Sequence, residues 1–544
     1  MFFMVILLLC VPSTSTQSHP PLTYACRTAK KAECNKLHFV PGHNLLGEGL
    51  DIVTMKKTRA YLVNLQKYET PDETCTVCNN PYMNKSWQKV PLGVVDWKPL
   101  SYCERKISSG VSQTATSLAE ESASNVEKNW EAGLELNHKL ANAKLVLAGS
   151  QSQLAQFAQS KTSNDRYTFI KQQLSCLYYS FRLSHRPPLT NHFYQALKSL
   201  PATYDTKTKA QYNHLISNYG THYIRQADVG GRAVDVTAVR TCRVTMDGMS
   251  MDELKDCLSL EASAAVTGKV EANVKTSACK DLSQKATEGQ SFHQTFNDRS
   301  WQISGGKITF DQLSFDIKNT ESATAFDTWM DSLKTNPDTI SYALEPIHNL
   351  VRFKGPQKEN LRKAISDYIM GKALSGNCSC PAGSVPSAGA ECTCVCHGGQ
   401  GGQGMSTNCC PSKRGLAKLV VTIQKATDLW GDYGSKTDAY VKYSFGVQGG
   451  QTPTIWNNNN PTWNIRFELG VVQLSSASIL KVEVWDEDNR YDDDLLGSCQ
   501  KPIGSGEKPE LCYLQHGSVM IKVSAQCMSH LTGPSCREYV ASTN

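Results

Sequence analysis

Twenty-one cysteines constrain this chain's fold before any helix or strand is assigned. Cys10 falls in an apolar leader, M-F-F-M-V-I-L-L-L-C-V, followed by small polar residues. Residues 1–18 therefore read as a secretory signal, too short to cross a membrane. The other twenty can all pair: nine between Cys26 and Cys279, seven between Cys378 and Cys410, and four between Cys499 and Cys536. Nine and seven are odd, so full pairing needs at least one bridge leaving the first block, most simply from a large N-terminal domain to the cysteine-rich segment. An exported chain meets the oxidising conditions such bridges require. The alternating C-x-C-x-C at Cys392, Cys394 and Cys396 suits disulfides better than zinc. Asn84 in N-K-S and Asn377 in N-C-S are glycan acceptors in an exported protein.

With 544 residues, the chain is long enough for two or three domains with cores of their own. Its formal charge of +6 is spread along the sequence without a Lys/Arg block, which argues against nucleic acid as a partner. No later run approaches the roughly 18 apolar residues of a helical anchor, so the mature protein is expected to leave the cell in soluble form. The organisation predicted is a large domain over 19–373, a Gly/Ser/Cys-rich module over 374–412, an all-β module over 413–525 and a disulfide-bearing tail over 526–544. Leu361, Ile365, Tyr368 and Ile369 share one helix face, which predicts a connecting helix ahead of the cysteine-rich module.

Two short acidic stretches carry the clearest chemistry. D-Y-G-S-K-T-D holds Asp432 and Asp438, and D-E-D-N-R-Y-D-D-D holds Asp486, Asp488, Asp492 and Asp494. The flanks L-V-V-T-I and I-L-K-V-E-V-W alternate as half-buried strands do, which places both clusters on turns of a β module. Carboxylates converging from two such loops suit Ca²⁺, which takes six to eight oxygens and leaves positions for lipid phosphate. Trp430, Tyr433 and Tyr491 lie on the same loops, where amphipathic rings enter a bilayer interface. The D-x5-D…D-x-D-x5-D spacing resembles a C2-type calcium and lipid binding domain.

A second pattern runs through residues 258–275. Leu258, Leu260, Ala262, Ala264, Val266, Val270, Ala272 and Val274 occupy even positions against a largely polar odd set. Such alternation exceeds the roughly 9–11 residues that a tilted strand needs to span a bilayer, with one side for lipid and the other for water. The apolar side is weak in Leu and Ile, which a barrel wall tolerates and a soluble core does not. A fainter copy runs through Trp130, Ala132, Leu134 and Leu136. The neighbouring Ala/Gln/Glu/Ser-rich stretches read as helical in solution, a combination that suits segments with two conformations.

Between these regions stands Y-G-T-H-Y, Tyr219, Gly220, Thr221, His222 and Tyr223, followed by D-V-G-G-R with Gly230 and Gly231. This motif resembles the signature of membrane attack complex/perforin domains, and the order of modules is similar to that family's. The resemblance implies an α+β fold with a bent antiparallel central sheet flanked by helical clusters, as in cholesterol-dependent cytolysins. A small disulfide-rich EGF-like module and an all-β C2-type sandwich would follow. It also implies that Tyr219 to Tyr223 lie on the sheet, that Gly230 and Gly231 mark its bend, and that segments near 111–160 and 258–300 convert to hairpins. His222 is expected to pack rather than catalyse. Asn489 stands where the resemblance leads to another aromatic.

The function implied is a secreted, calcium-dependent pore-forming protein, stored in cytolytic granules. It would bind the phospholipid membrane of a target cell, assemble as a homo-oligomer ring and admit granule proteases. A non-lytic calcium-dependent membrane binder of the same fold is the rival. A lipid hydrolase using the C2-type module is disfavoured, because no G-x-S-x-G nucleophile motif appears.

Overall fold

The computed structural model describes residues 23–541 apart from 104, 137–143, 163–164, 270–278, 280–290, 308–312, 377–383, 387–393, 397–403, 407–409, 432 and 489–492. Its largest element is an eight-stranded sheet built on two long antiparallel strands, Tyr167–Leu183 and His222–Arg240. Strand Val94–Cys103 lies on the far side of the first, and Glu48–Asp51 and Lys56–Tyr61 lie beyond the second. Arg299–Ser304 and Asp338–Pro346 both pair with His222–Arg240, at opposite ends of it.

The paired glycines sit where the two long strands change register, between Val229 and Gly230. A Cβ on Gly230 would lie 1.9 Å from the Cys176 carbonyl oxygen, and one on Gly231 would meet Leu333 and Trp329 within 2.7 Å. Only glycine allows the backbones this approach.

Helices flank this sheet. Ala115–Ser122 and Gln153–Thr162 cover one region, burying Leu118, Leu154 and Ala158 against Phe169, Val234 and Val236. Met251–Thr267 packs elsewhere, burying Leu254, Cys257 and Leu258 with Ile170 and Val239. The alternating stretch is thus helical as far as Thr267, and the expected strand pattern is latent. A capping box between Ser250 and Glu253 starts this helix and Gly268, at φ 68°, ends it; a cap of this kind stabilises a helix by about 1 kcal/mol. Positions 270, 272 and 274 lie outside the described residues. The fainter copy at 130–136 forms turns and coil, not a strand.

The connecting helix is present as Gln357–Lys372 and buries Leu361, Ile365 and Ile369. In the cysteine-rich segment, Leu374–Gly376 pairs with Lys144–Val146 and Ser384–Pro386 with Cys394–Cys396; Asn377 lies outside the described residues, as does the signal segment. The C-terminal module is a sandwich of two four-stranded antiparallel sheets with a core of Leu419, Val421, Ile423, Val482, Val484 and Ile521.

The disulfide between Cys242 and Cys410 is the bridge that the odd cysteine blocks require, and it closes a separation of 168 residues. A link of that span restricts the unfolded chain by on the order of 4–5 kcal/mol. Around it, Met246 enters the sandwich core, Arg414 pairs with Asp247 at 2.6 Å, and the tail's Tyr539 hydroxyl donates to Asp165. The two large modules are therefore joined by covalent, apolar and polar contacts.

Candidate membrane-docking and pore-forming site

At one end of the sandwich the strand ends Ala439–Phe445, Ile479–Asp486 and Asp494–Pro502 stand side by side, with Ala439 opposite Asp486 and Asp486 opposite Asp494. Asp438, Asp486 and Asp494 are thereby brought to adjacent strand ends. Asp486 is buried, and its Oδ1 accepts the Asp438 backbone N–H at 2.6 Å. Asp438 accepts the Asn457 N–H at 2.5 Å, and the Asp488 N–H donates to Asp493 at 3.2 Å. Gly431 lets its loop pass directly against the Asp486 carboxylate, since a Cβ there would lie 1.7 Å from Oδ2.

Asp432, Asp492, Asn489 and Tyr491 lie outside the described residues. Among the described residues, no three His, Cys, Asp or Glu side chains stand close enough to hold a metal. The donor set nevertheless fits a hard cation: all oxygen, gathered on two loops, with a glycine cradle against its most buried member.

Aromatic rings surround these carboxylates. Tyr433 is 98% exposed and Trp430 is 42% exposed, and their ring centroids are 5.3 Å apart. Sequence reasoning missed Trp456, 60% exposed, which directly precedes the residue bonded to Asp438. Its signal was available in W-N-N-N-N-P-T-W, where a large apolar residue opens a turn of polar ones. The exposed Tyr513 ends the strand Gly506–Tyr513, whose following turn places His516 5.2 Å from Trp430.

The Y-G-T-H-Y motif needs a correction. Tyr219 is the last residue of helix Lys209–Tyr219 and Gly220 is its cap; the strand begins at His222. The reason is local: Gly220 at φ 79° turns the chain so close to Leu50 that a Cβ would lie 2.6 Å from its backbone. Thr221 Oγ1 accepts the Ile52 N–H at 3.0 Å and donates to the Leu50 carbonyl at 3.2 Å. Fully buried His222 donates from Nε2 to the Trp130 carbonyl at 2.9 Å, and its Nδ1 lies 2.8 Å from Thr221 Oγ1. Burial holds its pKa down at about 3, so the ring is neutral. Tyr223 donates to Glu345 at 2.8 Å. These contacts pack a helix end against the sheet and occupy both ring nitrogens of His222. Asn84 is exposed at the end of a short helical turn, where a glycan has room.

A sheet flanked by helices of latent alternation, linked by a disulfide and side-chain contacts to a sandwich bearing carboxylates and exposed aromatic rings at one end, defines a membrane-acting protein. Residues 39–377 match the MAC/Perforin domain and residues 417–516 match the C2 domain. The chain is 41% identical to Perforin-1 of Rattus norvegicus over 526 residues, 95% of this chain and 94% of that protein. It is 38% identical to Perforin-1 of Homo sapiens over 95% of this chain and 93% of that one. Complement component C6 of Bos taurus is 27% identical over 40% of this chain and 23% of its own length. The chain belongs to the MAC/Perforin family and is a pore-forming cytolytic protein.

Proposed function

We propose that the sandwich docks first. Asp432, Asp438, Asp486, Asp488, Asp492 and Asp494 would hold calcium, which neutralises crowded carboxylates and offers lipid phosphate a coordination position. Trp430, Tyr433 and Tyr491 enter the interface of the bilayer, with Trp456 beside them. Docked chains assemble into a ring, and the segments around 111–160 and 258–300 leave the sheet and extend as hairpins of a barrel wall. The bridge between Cys242 and Cys410 and the Arg414–Asp247 pair support this order, because they fix the docking end relative to the sheet that must convert. Admission of granule proteases, storage in cytolytic granules and action on a target-cell membrane complete the reading. Within it the protein performs no catalysis, and domain limits at 19–373, 374–412 and 413–525, with an EGF-like middle module, serve as the working division.

The observation that carries the proposal is one helix, Met251–Thr267, that buries a three-to-four residue face now and holds a period-two apolar set for later. Dye release from phospholipid vesicles with and without calcium tests it. Release is expected only with calcium and is expected to be lost in Asp438→Asn with the melting temperature kept. Undiminished release by that variant in chelator would overturn the calcium step; calcium-dependent binding without release would favour the non-lytic rival.

A further inference from the structure

Beneath the helices Ala115–Ser122 and Gln153–Thr162 lies a cavity of about 350 Å³ that belongs neither to the docking loops nor to the packed signature motif. Its roof includes Glu121 and Leu154 from the helices, and its floor is sheet: Lys171, Arg232, Val234 and Trp301. The volume lies within the range of small-molecule sites, and the walls are of mixed apolar and cationic character.

Arg232 is the unusual member. Burial depresses its pKa, with only distant help from Tyr342, Asp338 and Glu121. Both of those carboxylates have other partners, since Glu121 pairs with Lys171 and Asp338 with Lys57. Among the described residues, no ion pair reaches the Arg232 guanidinium. Arg232 is only partly exposed where it lines the cavity, and a guanidinium largely withdrawn from water without a counter-charge ordinarily has an anion within reach. A second unpaired donor lines the same cavity, because the Trp301 indole N–H is buried without a hydrogen-bond partner among the described residues. Gln173 also lines it with an unpaired amide oxygen. Its Nε2 donates to Ser175 Oγ at 3.0 Å, and a half-turn of the amide would present Nε2 to the cavity instead.

We propose that this cavity binds a small organic anion, an oxyanion head joined to a flat apolar body. The head meets Arg232 and the Trp301 N–H, and the body lies along Leu154 and Val234. A planar fork such as guanidinium matches carboxylate and phosphate oxygens in pairs, which favours this class over a halide. The occupant would bridge two helices to the sheet they cover, and so hold one converting cluster in place. That last consequence rests on the pore reading above; the binding itself does not, and is measured without membrane.

Isothermal titration of the full chain with 1-naphthyl phosphate and 1-naphthoate, against neutral 1-naphthol, tests the site. Both anions are expected to bind at least tenfold more tightly than the alcohol and to raise the melting temperature. Arg232→Gln is expected to lose at least tenfold in affinity and Arg232→Lys less. Equal binding of naphthol, or unchanged affinity in Arg232→Gln, would overturn the proposal. Should Arg232→Gln fail to fold, Trp301→Phe keeps the ring and removes the donor. A several-fold loss for the anions alone supports the site, and no loss overturns it. In a dye-release assay, saturating naphthyl phosphate is expected to slow lysis without changing vesicle binding. Full-speed lysis by the saturated protein would overturn the clamping role.

Discussion

The strand Leu416–Thr427 and the last turns of helix Met251–Thr267 both carry apolar residues at alternate positions, yet one lies flat in a sheet and the other coils. In the strand, Leu419, Val421 and Ile423 are fully buried, with Val420 and Thr422 on the other face. Its β-branched side chains are stiff and suit a pleated surface. Between 258 and 267 the apolar set is alanine and leucine, both strong helix formers, apart from Val266, with β-branching confined to Val266 and Thr267. The helix then buries Leu254, Cys257, Leu258, Ala262 and Ala265 at three-to-four spacing, with Ala264 and Val266 beside them, and this face coexists with the alternation. Periodicity alone thus does not choose the state. Side-chain type and caps choose it in water, and a bilayer rewards the other pattern.

Substitutions that separate the two patterns test this comparison. The largest effect is expected from lysine on the face assigned to lipid. Leu260 is only partly buried in the helix, so Leu260→Lys leaves the soluble fold intact. In a barrel wall it places an ammonium toward hydrocarbon at about 2–4 kcal/mol per chain near the midplane. Ser263→Lys faces the lumen and costs far less. Vesicle lysis should fall more than tenfold for the first and little for the second, with calcium-dependent binding unchanged in both; equal losses would break the comparison.

A smaller effect concerns acid. His222 has its pKa lowered from 6.5 to about 3, so the native state binds fewer protons than the unfolded chain. Its contribution to stability is full above pH 6.5 and is lost as pH falls toward 3, costing about 2 kcal/mol by pH 5. His348, lowered to about 4, acts in the same direction. Buried Asp235, raised to about 6 by desolvation and opposed by Arg299, has the opposite sign and favours the native state as pH falls below 6. Thermal melts of wild type and His222→Gln from pH 7.5 to 4.5 should show a shallower acid decline in the variant. Parallel declines would remove His222 as a cause.

Much of this was legible in the sequence. Odd cysteine blocks demanded one bridge out of the first block, which Cys242–Cys410 supplies, the spacing of Leu361, Ile365 and Ile369 predicted a helix, and alternating flanks placed the acidic clusters on turns of the β module. Tyr219 was misplaced because helix ends are set by a glycine's φ and by a neighbour, Leu50, distant in sequence. Trp456 was missed because exposure depends on how the sandwich folds, and the unpaired Arg232 because pairing is a property of three dimensions.

The central claim is that one stretch changes period. A polarity-sensitive amino acid placed singly at each position from 258 to 267 reads this directly, in solution and on lysed vesicles. In solution the apolar signals should fall at 258, 262, 264, 265 and 266, with 260 partly wet, so 260 and 265 are the positions that exchange environment. After insertion they should fall at 258, 260, 262, 264 and 266, with 259, 261, 263, 265 and 267 in water. A three-to-four residue spacing that persists in the lytic, membrane-bound protein would contradict the account.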